Sequence, residues 1–249
     1  MTTTRKGRHE LESVQILGVP IHRVDMDQAL TMVESFIVSG KPHLVFTADA
    51  TSIVMAGDDA HFMHLIRNAD LVTPDGAGVS WAVRRKGLVP TKVSGVDLLD
   101  RICALSADKG YRLFFLGAAA GVAELAAEKL RLKHPGCNIV GTRHGYFPSE
   151  SDEVVAREVS EFKPDVLFVA MGMPRQELFI RATEKIIGAK VSIGVGGSFD
   201  VYSGKIKRAP KWMQRACLEW LWRLTHDFSK IGKVKALPKF AWRVLRDRS

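Results

Sequence analysis

Two kinds of segment alternate along residues 13–204: short runs of apolar and β-branched residues, and longer stretches in which apolar residues recur every three or four positions. The short runs predict strands at 14–19, 43–46, 71–73, 112–116, 138–141, 166–170 and 191–195. The longer stretches predict helices at 27–39, 96–108, 122–134, 151–162 and 176–187. This order is typical of α/β proteins, so we expect a Rossmann-like, mainly parallel sheet with helices on both faces.

The pattern changes after residue 204, where one apolar stripe at helical spacing comprises Met213, Cys217, Trp220, Leu224, Phe228 and Ile231. Residues 205–249 hold four of the five tryptophans and carry a net charge of +10, whereas residues 1–204 carry −1. Basic helices with tryptophan are typical of a membrane interface, and each cation near an anionic leaflet contributes about 1 kcal/mol. The stripe docking on the main domain and the charges meeting nucleic acid are the two alternatives.

Composition limits the class of protein. A chain of 249 residues with 46% hydrophobic residues can form a packed core, which excludes a disordered or fibrous chain. No run approaches the roughly 18 apolar residues of a spanning helix, and the polar start does not resemble a signal peptide. We expect a flexible tail at 1–12, an α/β catalytic domain at 13–204 and a basic amphipathic, membrane-associating appendage at 205–249, in a cytoplasmic protein. The three cysteines show no metal-binding spacing and are predicted to be reduced core thiols.

The turns after the predicted strands are where an α/β sheet binds its ligands. The glycines of segment 117–121 lack the dinucleotide-binding spacing, and no phosphate-binding P-loop motif occurs, so an NAD-dependent oxidoreductase is disfavoured. Asp25 and Asp27 match a short metal-binding pattern of sugar-nucleotide transferases. They also open a predicted helix, where we expect Asp25 to cap and Asp27 to face the helix dipole.

Several side chains at these turns are candidates for chemistry. Asp75 follows a strand and is either a general base or a helix cap. Thr47 and Asp49 follow the preceding strand and either share its crevice or act as turn and cap residues.

Three further residues have two interpretations each. Gln176 opens a helix, where a lone glutamine is usually at the surface. Tyr146 and Asp200 could stack on a base and bind a ribose, or be a core tyrosine and a turn aspartate.

Taken together, the segments resemble the WecG/TagA/CpsF glycosyltransferase family over about residues 13–225. The matching runs are Thr47-Ala-Asp49, Ala69-Asp-Leu-Val-Thr-Pro-Asp-Gly76, Ser94-Gly-Val-Asp-Leu98, Leu116-Gly117, Gly145-Tyr-Phe147, Gly172-Met-Pro-Arg-Gln-Glu177, Val195-Gly-Gly-Ser-Phe-Asp200, Arg208-Ala-Pro210 and Glu219-Trp-Leu-Trp-Arg223.

The resemblance implies an inverting enzyme that moves a hexosyl unit, often N-acetylmannosamine or its uronic acid, from a UDP-sugar to a polyprenyl-diphosphate-linked sugar. It implies no cofactor, no obligatory metal and peripheral attachment to the inner face of the cell membrane. Homo-oligomerisation is left open, and nucleic acid is not an expected partner. The rival function is a nucleotide-sensing module that binds nucleic acid through its basic tail.

The resemblance also assigns residue roles. It implies that Asp75 is the base that deprotonates the acceptor hydroxyl and that Thr47 and Gln176 line the catalytic pocket. The substrate-binding positions that follow from it are Asp49, Gly117, Tyr146, Gly197, Asp200 and Arg223. Tyr146 would stack on uracil, Asp200 would bind the nucleoside, and Arg223 would meet the diphosphate, with Lys92 or Lys207 as further cations.

Overall fold

The computed structural model describes residues 12–210, 212, 213, 219, 222 and 231–247. Within them the strands are β1 (Ser13–Ile16), β2 (Val19–His22), β3 (His43–Ala48), β4 (Leu71–Pro74), β5 (Leu113–Gly117), β6 (Ile139–Arg143), β7 (Val166–Ala170) and β8 (Val191–Gly194). Six of these described strands form one parallel sheet in the order β4-β3-β8-β7-β5-β6. The expected parallel α/β fold is therefore confirmed.

Helices connect the strands. They are α1 (Met26–Ser39), α2 (Ala50–Asp58), α3 (Ala60–Arg67), α4 (Gly76–Arg85), α5 (Gly95–Lys109), α6 (Val122–Lys133), α7 (Asp152–Glu161), α8 (Arg175–Ile187), α9 (Ser198–Tyr202) and α10 (Ile231–Arg246), with a short 3₁₀ turn at Ser149–Ser151. All five helices predicted from the sequence are present. The side chain of Asp25 accepts a hydrogen bond from the Gln28 backbone N–H at 2.8 Å, which confirms it as the cap of α1.

The first predicted strand was wrong in its extent. The chain turns back at Leu17 and Gly18, both of which have positive φ, so β1 and β2 form an antiparallel hairpin outside the main sheet. The hairpin lies beside the edge strand β4, where the backbone N–H of Val72 donates to Nδ1 of His22 at 2.8 Å. This contact covers an edge that would otherwise expose an unpaired backbone donor.

Two apolar clusters cover the two faces of the sheet. Along β3, Leu44 and Phe46 belong to one cluster and Val45 to the other, as the alternation of side chains in a strand requires. The buried and free thiols of Cys103 and Cys137 lie in the second cluster, which confirms them as core thiols. Cys217 lies outside the described residues.

The final helix, α10, packs on α2 and α4. Phe240 is 1% exposed, and a Cβ atom placed on Gly78 of α4 would lie 3.5 Å from its ring. Arg243 of α10 donates to the Asp58 carboxylate and to the Val54 carbonyl. α10 therefore docks on the main domain, although it begins only at the last position of the predicted stripe. Of the predicted apolar stripe, Met213 is buried, and positions 217, 220, 224 and 228 lie outside the described residues.

Candidate active site

A cavity lies at the carboxyl ends of four neighbouring strands, β4, β3, β8 and β7. It contains about 840 Å³ of space, part of it open to solvent. Six of the residues predicted from the sequence line it, namely Thr47, Asp49, Asp75, Gln176, Gly197 and Lys207. The strand order explains this convergence, because the carboxyl ends of parallel strands meet at one edge of the sheet.

Thr47 and Asp49 come from the end of β3. The Thr47 hydroxyl lies 3.4 Å from the carbonyl of Gly194, at the end of the adjacent β8. Asp49 caps α2, since its Oδ1 accepts from the Ser52 backbone N–H at 2.7 Å and the Ser52 hydroxyl accepts from the Asp49 N–H at 3.0 Å. Asp49 thus caps α2 and also lines the cavity, so both interpretations of this residue are correct.

Asp75 occupies the position before α4, but its side chain makes no hydrogen bond that caps the helix. The interpretation of this carboxylate as a helix cap is therefore wrong. Its backbone N–H donates to the carbonyl of Ala48 at 2.8 Å, and its Oδ2 lies 3.5 Å from the backbone N–H of Gly95, where α5 begins. The carboxylate is held between β4 and α5 at the cavity wall, where it can meet a ligand.

Gln176 is 3% exposed, so the interpretation of this glutamine as a surface residue is wrong. Its Oε1 accepts from the backbone N–H groups of Gly172 and Gly196, each at 3.2 Å, and its Nε2 donates to Glu177 at 2.6 Å. A Cβ atom at position 194 would lie 2.5 Å from Nε2, so the amide fits because residue 194 is glycine. One buried amide thus joins the loops that follow β7 and β8.

The basic appendage closes part of the cavity. Lys207 and Trp222 line it, and the Trp222 indole N–H donates to the Lys207 carbonyl at 3.0 Å. Ion pairs hold this segment to the main domain, among them Lys92 with Glu219 at 2.9 Å and Asp97 with Arg208 at 2.7 Å.

Arg208 remains charged in this position. Burial favours its neutral form, but the adjacent Asp97 carboxylate outweighs burial and raises the pKa of the guanidinium. The appendage therefore contributes fixed cations at the rim and an aromatic side chain to the cavity itself.

Comparison with known proteins agrees with this geometry. The model of the glycosyl transferase WecG/TagA/CpsF family matches residues 14–249. The chain belongs to this glycosyltransferase family. It is similar to N-acetylglucosaminyldiphosphoundecaprenol N-acetyl-beta-D-mannosaminyltransferases of Staphylococcus aureus strains MRSA252 and MW2. Each is 31% identical over 246 residues, which cover 98% of this chain and 96% of the relative.

The two residues of this glycosyltransferase that are predicted to bind the nucleoside do not line the cavity. Tyr146 is 76% exposed and follows β6, while Asp200 lies on α9 with its Oδ1 4.0 Å from Lys205. Gly117 explains how Tyr146 is placed, because a Cβ atom on Gly145 would lie 2.8 Å from the Gly117 Cα. A side chain at Gly117 would in turn meet the Ala170 carbonyl at 2.4 Å, so this glycine permits close backbone packing. The nucleoside-binding roles stay predictions.

The predicted cations differ in what the structure shows. Lys92 does not line the cavity and is paired with Glu219. Arg223 lies outside the described residues, so its predicted contact with the diphosphate stays a prediction.

Sequence reasoning missed Gly95 and Trp222 as cavity residues. Both lie inside the family-matching runs of the sequence, which is the signal that points to them.

The part of the chain that the structure describes has neither a cluster of metal-ligating side chains nor a membrane-spanning helix. No group of three or more His, Cys, Asp or Glu in that part of the chain is arranged to hold a metal ion. No helix among the same residues combines the length and apolar character needed to cross a bilayer.

Proposed function

We propose that the protein is an inverting, metal-independent glycosyltransferase that moves a hexosyl unit from a UDP-sugar to a polyprenyl-diphosphate-linked sugar in cell-surface polysaccharide synthesis. The observation that carries the proposal is the Asp75 carboxylate in one cavity with Thr47 and Gln176, under a lid that includes Lys207 and Trp222. The relatives' names support a lipid-diphosphate acceptor and N-acetylmannosamine as the transferred sugar.

In this reaction the acceptor hydroxyl attacks the anomeric carbon of the donor. Its oxygen forms the new bond to carbon while the bond from carbon to the UDP oxygen breaks, and UDP leaves with that electron pair. Asp75 accepts the hydroxyl proton. A carboxylate is a weak base, but the hydroxyl becomes acidic as its oxygen bonds to carbon, so the proton transfers late in the step. A single displacement inverts the anomeric configuration.

The departing diphosphate gains negative charge that the protein must stabilise. Lys207 lies at the cavity and can stabilise this charge as a cationic donor. Arg223, from the same appendage, is the further cation that we assign to this charge. Cationic donors of this kind would make a metal ion unnecessary.

The uridine would extend from the cavity toward β5. The cavity spans the ends of β4, β3, β8 and β7, and β5 is the next strand in the sheet. Tyr146 lies close to the end of β5, through the contact of Gly145 with Gly117. We assign its exposed ring to stacking on uracil and Asp200 to hydrogen bonding with the nucleoside.

The appendage would also attach the enzyme to the inner face of the membrane, where a polyprenyl-linked acceptor resides. The side chains of Trp242 and Leu245 on α10 are 53% and 56% exposed, and Arg246 lies over the Trp242 ring at 4.1 Å. An exposed indole beside cations is suited to the headgroup region of an anionic bilayer.

The test is Asp75→Asn, which removes the base and keeps the size of the side chain. We expect transfer from UDP-N-acetylmannosamine to a short-chain diphospholipid-linked N-acetylglucosamine to fall by about 10³-fold or more, because general base catalysis contributes about 10²–10⁴-fold. The dissociation constant for UDP, measured by calorimetry, should change less than about threefold. Turnover near the parental rate would refute Asp75 as the base. Steeply salt-dependent binding to duplex DNA without UDP affinity would instead favour the nucleic-acid alternative.

A further inference from the structure

The charge of the cavity wall bears on which sugars the donor can carry, a question that deepens the proposed function and rests on it. Among the described residues that line the cavity, Asp49 and Asp75 are acidic and Lys207 is basic. The diphosphate of any UDP-sugar requires the cation. Neither carboxylate can neutralise the diphosphate, so the two aspartates act on the sugar or on the acceptor.

The two acidic residues are neighbours. Ala48 of β3 pairs with Pro74 of β4, and each aspartate is the next residue along its strand. Adjacent strands lie about 4.8 Å apart, so the two side chains leave the sheet side by side. The hydrogen bond from the Asp75 N–H to the Ala48 carbonyl, at 2.8 Å, fixes this relation.

Two hydrogen bonds restrict the rotation of the Asp49 side chain. Its Oδ1 is held by the Ser52 N–H at 2.7 Å, and its own N–H is held by the Ser52 hydroxyl at 3.0 Å. These reciprocal bonds fix the side chain at the start of α2. The Asp49 carboxylate therefore has a fixed position in the cavity wall.

The fold does not require that charge. A helix cap needs a side-chain acceptor, and asparagine caps about as well as aspartate. Asp75 already has a proposed role as the base, which requires a carboxylate. The capping of α2 therefore does not explain why residue 49 is charged.

We propose that Asp49 is a specificity-determining residue that excludes donors whose sugar carries a carboxylate. A hexuronic acid in the cavity would place a third anion beside Asp49 and Asp75, where burial weakens the screening of like charges. A neutral hexose or N-acetylhexosamine meets no such repulsion, and its hydroxyl groups can donate to the carboxylates. The site thus selects neutral sugars.

The experiment compares UDP-N-acetylmannosamine with its C6 uronic acid on the full-length parental protein and on Asp49→Asn. Asparagine keeps the shape and the cap acceptor and removes only the charge. The two readouts are the ratio of kcat/KM for the two donors and the ratio of their dissociation constants, each measured at low and high salt. The matched control is Asp59→Asn, because Asp59 caps α3 through His61 and Phe62 and does not line the cavity.

We expect the parental protein to prefer the neutral donor by about 100-fold and Asp49→Asn to reduce that preference by about tenfold, mainly through a gain with the uronic acid. Added salt should weaken the preference of the parental protein, and Asp59→Asn should leave it unchanged. Equal preference in the parental protein and Asp49→Asn would overturn the proposal. If the parental protein binds the donors selectively without transfer and Asp49→Asn reduces that selectivity, the role of Asp49 is supported and the proposed reaction is refuted, so the two failures are distinguishable.

Discussion

At the scale of single residues, Gln176 shows how one amide organises the cavity. Its Oε1 accepts hydrogen bonds from the backbone N–H groups of Gly172 and Gly196, which lie in different loops. Its Nε2 donates to Glu177, which is itself 1% exposed. Buried amides are stable only when their hydrogen bonds are satisfied, so this side chain determines how the loops after β7 and β8 meet. Nothing in the local sequence shows this, because the two glycine loops come from strands 21 residues apart and meet only in the folded sheet.

We predict that Gln176→Glu destabilises the protein by about 2 kcal/mol, measured by urea unfolding at neutral pH. The new side chain retains an acceptor for both loops, but it replaces the donor Nε2 with an oxygen 2.6 Å from a Glu177 oxygen. The control is Gln28→Glu, because Gln28 also accepts a backbone N–H but lies at the exposed start of α1. Equal stability of the two variants would show that the contact with Glu177 does not matter.

At the scale of elements, α10 acts as a clamp on the two helices that begin at the cavity. Phe240 lies against Gly78 in the first turn of α4, and a Cβ atom at that glycine would lie 2.9 Å from the Cβ of Ala50, the first residue of α2. The turns that carry Asp49 and Asp75 are therefore supported from behind by the last helix of the chain. Asp58 of α2 holds this helix in place, because its carboxylate accepts hydrogen bonds from Lys239 at 2.6 Å and from Arg243 at 2.5 Å.

Asp58→Asn should test this anchor through the pH dependence of stability. Hydrogen bonds from Lys239 and Arg243 lower the pKa of the Asp58 carboxyl below its ordinary 3.8. The folded protein therefore binds this proton less well than the unfolded chain, and the stabilisation is complete above pH 3.8 and lost as the pH falls through the lower, folded-state pKa. Urea unfolding should show the parental protein to be more stable at neutral pH, with the difference closing in acid. A pH-independent difference, or an equal effect of Glu153→Gln in an exposed pair with Arg157, would contradict this account.

The hydrophobic pattern predicted the parallel strands and the long helices better than the short helices and the hairpin. The parallel strands and α1, α5, α6, α7 and α8 follow from hydrophobic periodicity, since each buries a regular apolar face. The pattern did not predict α2 and α3, because they are short and joined at Asp59, which ends one helix and caps the next. The hairpin was missed because its turn uses Leu17, a residue that rarely adopts positive φ. Thr47, Asp49 and Asp75 could be predicted because each lies at or just after the carboxyl end of a strand, which fixes its place at the sheet edge.

At the scale of the whole molecule, two parts of the chain with different net charge both contribute residues to the cavity. Residues 1–204 are nearly neutral and supply the carboxylates, whereas residues 205–249 carry the net charge of +10 and supply Lys207 and Trp222. The amino-acid sequence predicted this division from composition. Composition could not show that the appendage lines the cavity, because the ion pairs of Asp97 with Arg208 and of Lys92 with Glu219 join residues more than 100 positions apart. Only the family resemblance implied an appendage residue, Arg223, at the diphosphate.

The proposed membrane attachment predicts that the outward side of α10 binds lipid. We expect Trp242→Ser combined with Leu245→Ser to reduce co-sedimentation with vesicles of phosphatidylglycerol and phosphatidylcholine by about tenfold or more, because the two exposed apolar side chains are removed beside several cations. Binding of the parental protein should also weaken with added salt, since the cations attract an anionic surface. The matched control combines Val38→Ser and Leu132→Ser, which are 82% and 77% exposed on the main domain. If both double variants sediment like the parental protein, the membrane contact lies elsewhere. If the control loses as much binding, the loss reflects general surface hydrophobicity rather than a lipid-binding face on α10.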